Sequence, residues 1–154
     1  MQFTFEVLNN IRPFFKKHIE NNSLEDLNKI PEGFNNNIIW NIGHVMVTAQ
    51  LLAYKLSGLP MNVSDELVNK YRKDSKPEAA VSQAEVDEIE ALLVSTLKDL
   101  ELDYKNGVFK EYNTYTVSTT GNTLTNIDDA LQFILLHESM HLGYILALIR
   151  AVKN

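Results

Sequence analysis

The sequence predicts an all-α protein, a four-helix bundle with a long crossover between its second and third helices. Apolar residues recur at helical spacing in four long stretches, and capping residues or a glycine–proline stop bound three of them. A polar segment from Gly58 to about Ser82 separates the second stretch from the third and is too long for a hairpin between antiparallel neighbours. The 154 residues suit a single domain over 1–154, a size that buries roughly 68–70% of the unfolded surface.

The first stretch, Phe3 to Ile19, carries Val7, Leu8, Ile11, Phe14, Phe15 and Ile19 at helical period, with Pro13 predicting a kink or an irregular turn. Ser23 to Leu27 resembles a short capped helix, and Pro31-Glu32-Gly33 turns the chain into Asn35-Asn36-Asn37, one of which caps the second helix. That helix, about Ile38 to Ser57, is apolar nearly all round and ends at Gly58-Leu59-Pro60. A helix of that kind belongs at the centre. The crossover holds a brief helical hint at Ser64 to Tyr71. Ser82-Gln83-Ala84-Glu85 is a capping box opening the third helix, whose stripe is Val86, Ile89, Leu92, Leu93, Leu97 and Leu100. Its other face, with Asp87, Glu88, Glu90, Lys98, Asp99 and Glu101, is a solvated one. Tyr112 to Val117 is the most β-flavoured text and predicts a short hairpin or ordered loop. Thr125 to Asp128 then caps a last helix running through Arg150.

Composition excludes several classes. Without cysteine there are no disulfides or thiolate sites, so a transition-metal site must use His with Asp or Glu. A net charge of −6 with no basic block offers no footprint for nucleic acid. Ile38 to Leu56 is too polar for a membrane span, and Met1 to Lys17 lacks the features of a signal peptide. The expectation is a cytoplasmic protein with no nucleic-acid or membrane partner.

Four histidines occur, and His137 and His141 lie one helical turn apart within His137-Glu138-Ser139-Met140-His141. That spacing puts both imidazoles on one face, within reach of one ion. The pentapeptide also fits the H-E-x-x-H pattern of zinc proteases, with Glu138 as general base. Those enzymes need a third ligand downstream, and Leu142 to Asn154 contains no His, Asp or Glu. The third ligand must therefore come from upstream, where His44 lies on the core-facing second helix. Three interior histidines converging in one bundle favour a mononuclear site over separate, hydrogen-bonded core histidines. His18 reads as a boundary residue. Glu138 lies about 100° round the helix from His137, open to roles as general base, as support for a ligand, or as a surface or interhelix contact. Trp40 and Tyr144 are core aromatics or pocket walls, Asn41 and Gln50 either orient a ligand's second nitrogen or bond a neighbouring backbone or helix, and Tyr112 to Asn122 either rims the site or merely connects.

Asn37-Ile38-Ile39-Trp40-Asn41-Ile42-Gly43-His44, together with Leu136 to Arg150, resembles the DinB-like superfamily, also called DinB/YfiT-like metalloenzymes. The likeness spans nearly the whole chain, with Tyr144 where many relatives have Gln. It implies a four-helix bundle, often a homodimer, in which His44, His137 and His141 bind a divalent ion such as zinc or nickel. Relatives include thiol-dependent transferases and an isomerase. By analogy, the metal would take up a low-molecular-weight thiol and present it to a small electrophile as an S-transferase. The alternatives are a metal-dependent hydrolase and a non-catalytic metal-binding dimeric bundle.

Overall fold

The computed structural model describes residues 1–153. Six helices and one two-stranded ribbon follow the chain as α1 (Gln2–Glu20), α2 (Leu24–Asn28), α3 (Ile38–Gln50), α4 (Asp65–Tyr71), α5 (Gln83–Lys105), β1 (Tyr115–Thr116), β2 (Thr123–Leu124) and α6 (Ile127–Lys153). The protein is all-α apart from that ribbon.

The caps are those the sequence offers. Asn37 Oδ1 accepts from the Trp40 amide at 2.9 Å, and Ser23, Ser64 and Ser82 cap α2, α4 and α5 in the same way. At the start of α6 the exchange is reciprocal: Asn126 Oδ1 accepts from Asp129 N, while Asp129 Oδ2 accepts from the Thr125 amide and hydroxyl. Helix α1 runs through Pro13 without the irregular turn its sequence predicts. Pro13 is on the exposed face, where the missing amide hydrogen bond leaves a carbonyl that water can reach. The second predicted helix is likewise continuous but changes pitch. After Gln50 it widens into a π-helical turn, Leu51–Lys55, closed by Leu56 N donating to Leu51 O at 3.2 Å.

Helices α1 and α3 each pack against both α5 and α6. Helix α3 is buried nearly all round, with Ile38, Ile39, Ile42, Val45, Met46 and Val47 fully enclosed, which makes it the central element. The crossover carries α4 back onto α3. A glycine permits that approach, since a Cβ on Gly43 would come within 2.6 Å of the Tyr71 ring. The ribbon is antiparallel, with Tyr115 opposite Leu124 and Thr116 opposite Thr123. It is shorter than the β-flavoured text suggested, and Val117 and Leu124 tuck it onto the core.

Among the described residues, the charged ones enclosed in the core are Arg12 and Glu138, 1% and 0% exposed. Arg12 Nη2 donates to Glu138 Oε1 at 2.8 Å, and Arg12 Nη1 donates to Leu93 O and Thr96 Oγ1. One guanidinium thus ties α1 to α5 and α6. Helix α6 has the length and apolar composition of a membrane span, as core helices also can, and this ion pair anchors its middle turn among the other helices.

Candidate metal centre

His44 on α3 and His137 and His141 on α6 come together at the α3–α6 contact. One ring nitrogen from each lies within 4.8 Å of the other two. Ring centroids are 5.0 Å apart for His44 and His137, 4.9 Å for His44 and His141, and 4.5 Å for the α6 pair. His44 is buried, while the other two are half-buried and open to a cavity. His18 is elsewhere, edge-on to Phe14 with its Nε2 unpaired.

Two of the imidazoles have their protons assigned by their neighbours. His44 Nδ1 is 2.7 Å from the carbonyl oxygen of Tyr71, which can only accept, so Nδ1 carries the hydrogen and Nε2 keeps a lone pair. His141 Nδ1 is 2.9 Å from Asn41 Oδ1. The Asn41 amide is oriented in turn, because its Nδ2 donates to Asn36 Oδ1 and Asn37 O. The asparagine triplet therefore both caps α3 and aims the group that fixes His141. Trp40 stacks on the His44 ring at 4.8 Å and 10°, and Thr48 Oγ1 sits 3.5 Å from His44 Nε2.

All three rings are held neutral. Burial pushes His137 down to about 3, helped by repulsion from His141 and His44. Burial and His44 bring His141 to about 4. Burial lowers His44 too, against the opposing effect of the Tyr71 carbonyl. Three neutral imidazoles with converging nitrogens are what a borderline metal such as zinc or nickel takes as ligands, and no proton competes for them at neutral pH.

The histidines face a cavity of about 530 Å³, in the range of small-molecule sites. Leu51, Leu52, Leu56 and Phe133 form its apolar wall, and Tyr115, Val117, Ser118 and Thr119 bring the ribbon to its rim. Trp40 and Tyr144 are not wall residues. Trp40 backs His44, and Tyr144 packs edge-on against Phe34 at 5.6 Å. Gln50 does not orient a histidine; its Oε1 accepts from the Asn62 amide. Glu138 is not brought into the cluster and makes the interhelix contact with Arg12.

Some contributors escaped the sequence reading. The Tyr71 carbonyl is a backbone group and leaves no side-chain signal. Arg72 and Lys73 line the cavity from what read as polar connection, and Lys55 lines it from near the end of the second predicted helix, about three helical turns beyond His44. Gly43 was a readable sign, a glycine inside a buried helix where another backbone comes close.

An all-helical protein with three convergent neutral histidines at the end of an open cavity is a candidate metal-binding protein. A family model described as the DinB superfamily matches residues 10–145, and the chain belongs to that superfamily. No curated protein matches the chain significantly.

Proposed function

We propose that the chain is a mononuclear metal enzyme that joins a low-molecular-weight thiol to a small electrophile, with zinc or nickel held by His44, His137 and His141. The observation that carries this reading is a set of three neutral ligands facing a cavity, with no fourth His, Asp or Glu in the group among the described residues. Three protein ligands leave a position open, as catalytic sites require and closed structural sites do not. The pairwise packing of α1 and α3 with α5 and α6 supports the four-helix-bundle architecture of this reading, with the segment containing α4 as its crossover.

A divalent ion in such a site supplies Lewis acidity, lowering the pKa of a thiol or water that joins it. The chain does the positioning. Tyr71 and Asn41 hold the protons of His44 and His141 on Nδ1, leaving each Nε2 with the lone pair that an ion would take up. Leu51, Leu52, Leu56 and Phe133 offer an apolar wall against which the carbon skeleton of a substrate would pack. Since the chain has no cysteine, the sulfur comes from outside. The thiol proton passes to solvent, a sulfur–carbon bond forms, and the leaving group departs with its electron pair.

Hydrolysis would use either Glu138 or a metal-bound water as its base. Glu138 is engaged by Arg12 in the core, and the carboxylate lining the cavity is Asp74. That distribution counts against a hydrolase that relies on Glu138, and the dependence on thiol separates transfer from hydrolysis by metal-bound water. A homodimer belongs to the same proposal, supported by Leu136, Tyr144 and Leu146, which α6 leaves exposed outside the cavity. So does a cytoplasmic location, where small thiols are kept reduced.

The test is turnover of a panel of small alkyl and aryl halides by metal-loaded protein, with and without added thiol. Turnover above the spontaneous rate only with thiol is expected. Turnover that persists without thiol contradicts transfer and supports the hydrolase.

A further inference from the structure

We infer that Lys55, Arg72 and Lys73 form a subsite for an oxyanion, a carboxylate or phosphate, on the small molecule that occupies the cavity above the histidines; this deepens the proposed function and rests on that cavity being the substrate site. The chain as a whole is acidic, with 20 Asp and Glu against 14 Lys and Arg, so an arbitrary stretch of surface would carry more acids than bases. The cavity reverses the balance, with three cations and one carboxylate, Asp74, among its lining residues. Lys73 pairs with that carboxylate at 3.3 Å, while Lys55 and Arg72 form no ion pair among the described residues. Both are exposed, so their charge is available to a ligand.

The cations are placed rather than scattered. Arg72 directly follows Tyr71, whose carbonyl holds His44, so one short turn both orients a histidine and presents a guanidinium to the same cavity. That turn is tied by Ser75, whose hydroxyl bonds the carbonyls of Lys70 and Arg72 at 2.8 and 2.7 Å. Asp74 adopts a φ of +67°, the left-handed conformation that turns the chain there. Lys55 lines the same cavity from a different element, at the end of the π-helical turn, a distortion that recurs at functional sites.

Charge balance gives a second reason. Three neutral imidazoles would leave the two positive charges of a divalent ion uncompensated, and the nearest buried carboxylate, Glu138, is already neutralised by Arg12. A ligand with negative groups supplies what the protein withholds. Guanidinium and ammonium together suit a carboxylate or a phosphate equally, so the chemistry assigned is that of an oxyanion.

The probes are succinate, inorganic phosphate and the neutral analogue succinamide, titrated into 15N-labelled protein as purified and followed by amide chemical shifts. Saturable shifts at residues 55, 72–74 and 115–119 are expected with succinate or phosphate and not with succinamide, and the stronger of the two anions identifies the group. In the double variant K55Q/R72Q the apparent affinity should fall at least tenfold while bound metal stays unchanged. Equal response to succinamide, or unchanged anion affinity in K55Q/R72Q, would overturn the inference. His137→Ala separates this idea from the metal site. If the wild type holds no metal, or H137A loses it, and anion binding still depends on Lys55 and Arg72, the subsite stands without the metal reading.

Discussion

Asn41 illustrates how much of this site depends on single hydrogen bonds. Its side chain is fully enclosed, spends its amide hydrogens on Asn36 and Asn37, and has its oxygen left to fix His141. Replacing it with leucine removes the acceptor while retaining bulk. Asn41→Leu should weaken metal binding by about ten- to a hundredfold, the usual effect of losing such a supporting contact, as read by competition with a chelator. The histidines also predict a pH dependence. His137 and His141 stay neutral in the folded protein down to about 3 and 4, whereas in the unfolded chain they protonate near 6.5. Below about pH 6.5 the unfolded state therefore binds more protons, and stability falls with pH until the folded values are reached. Metal-free protein should lose up to about 1.4 kcal/mol per pH unit for each such histidine between pH 6 and 4, measured by urea unfolding, and His137→Ala should flatten the slope. At this scale the sequence was informative wherever side-chain chemistry does the work. The three histidines and Asn41 are visible as letters, whereas the carbonyl of Tyr71 acts through a backbone atom that every residue possesses.

Between elements, the approach of α4 to α3 decides whether His44 is oriented at all. Gly43→Ala would force its methyl group against the Tyr71 ring, shifting α4 and the carbonyl that follows it. The expected cost is about 1–3 kcal/mol of stability from overpacking, with weakened metal binding; an unchanged melting curve and affinity would show that α4 gives way freely. The tie between α1, α5 and α6 behaves differently. Glu138→Ala leaves the Arg12 guanidinium buried without its counter-charge and should cost about 3–5 kcal/mol, while folded protein keeps its full metal content. Replacing the pair together with Arg12→Met and Glu138→Leu should recover most of that loss. Stability unchanged in Glu138→Ala but turnover abolished would instead give Glu138 the catalytic role its H-E-x-x-H context suggested. The helices themselves were readable, because caps and apolar spacing are local properties and Asn37, Ser82 and Asn126 act where the pattern places them. The π-helical turn at Leu51–Lys55 and the brevity of the ribbon were not, since tertiary packing sets both.

Across the whole molecule, burial and charge are divided between two regions. Among the described residues the enclosed ion pair, Arg12 with Glu138, joins helices in the core, and the cavity gathers neutral imidazoles and exposed cations in its lining. The all-helical fold followed from periodicity, and the pairing of an α6 motif with a histidine about ninety residues earlier followed from asking which side chains could complete it. The exposed cations did not follow, because Arg72 and Lys73 sit in a polar crossover whose path is fixed only by the packing of Tyr71. Metal stoichiometry tests the central claim most directly. Protein purified without chelator or metal-affinity tag, analysed by elemental mass spectrometry, should carry close to one equivalent of a divalent metal, with marked loss in His44→Ala; full metal content in that variant would contradict the three-histidine site.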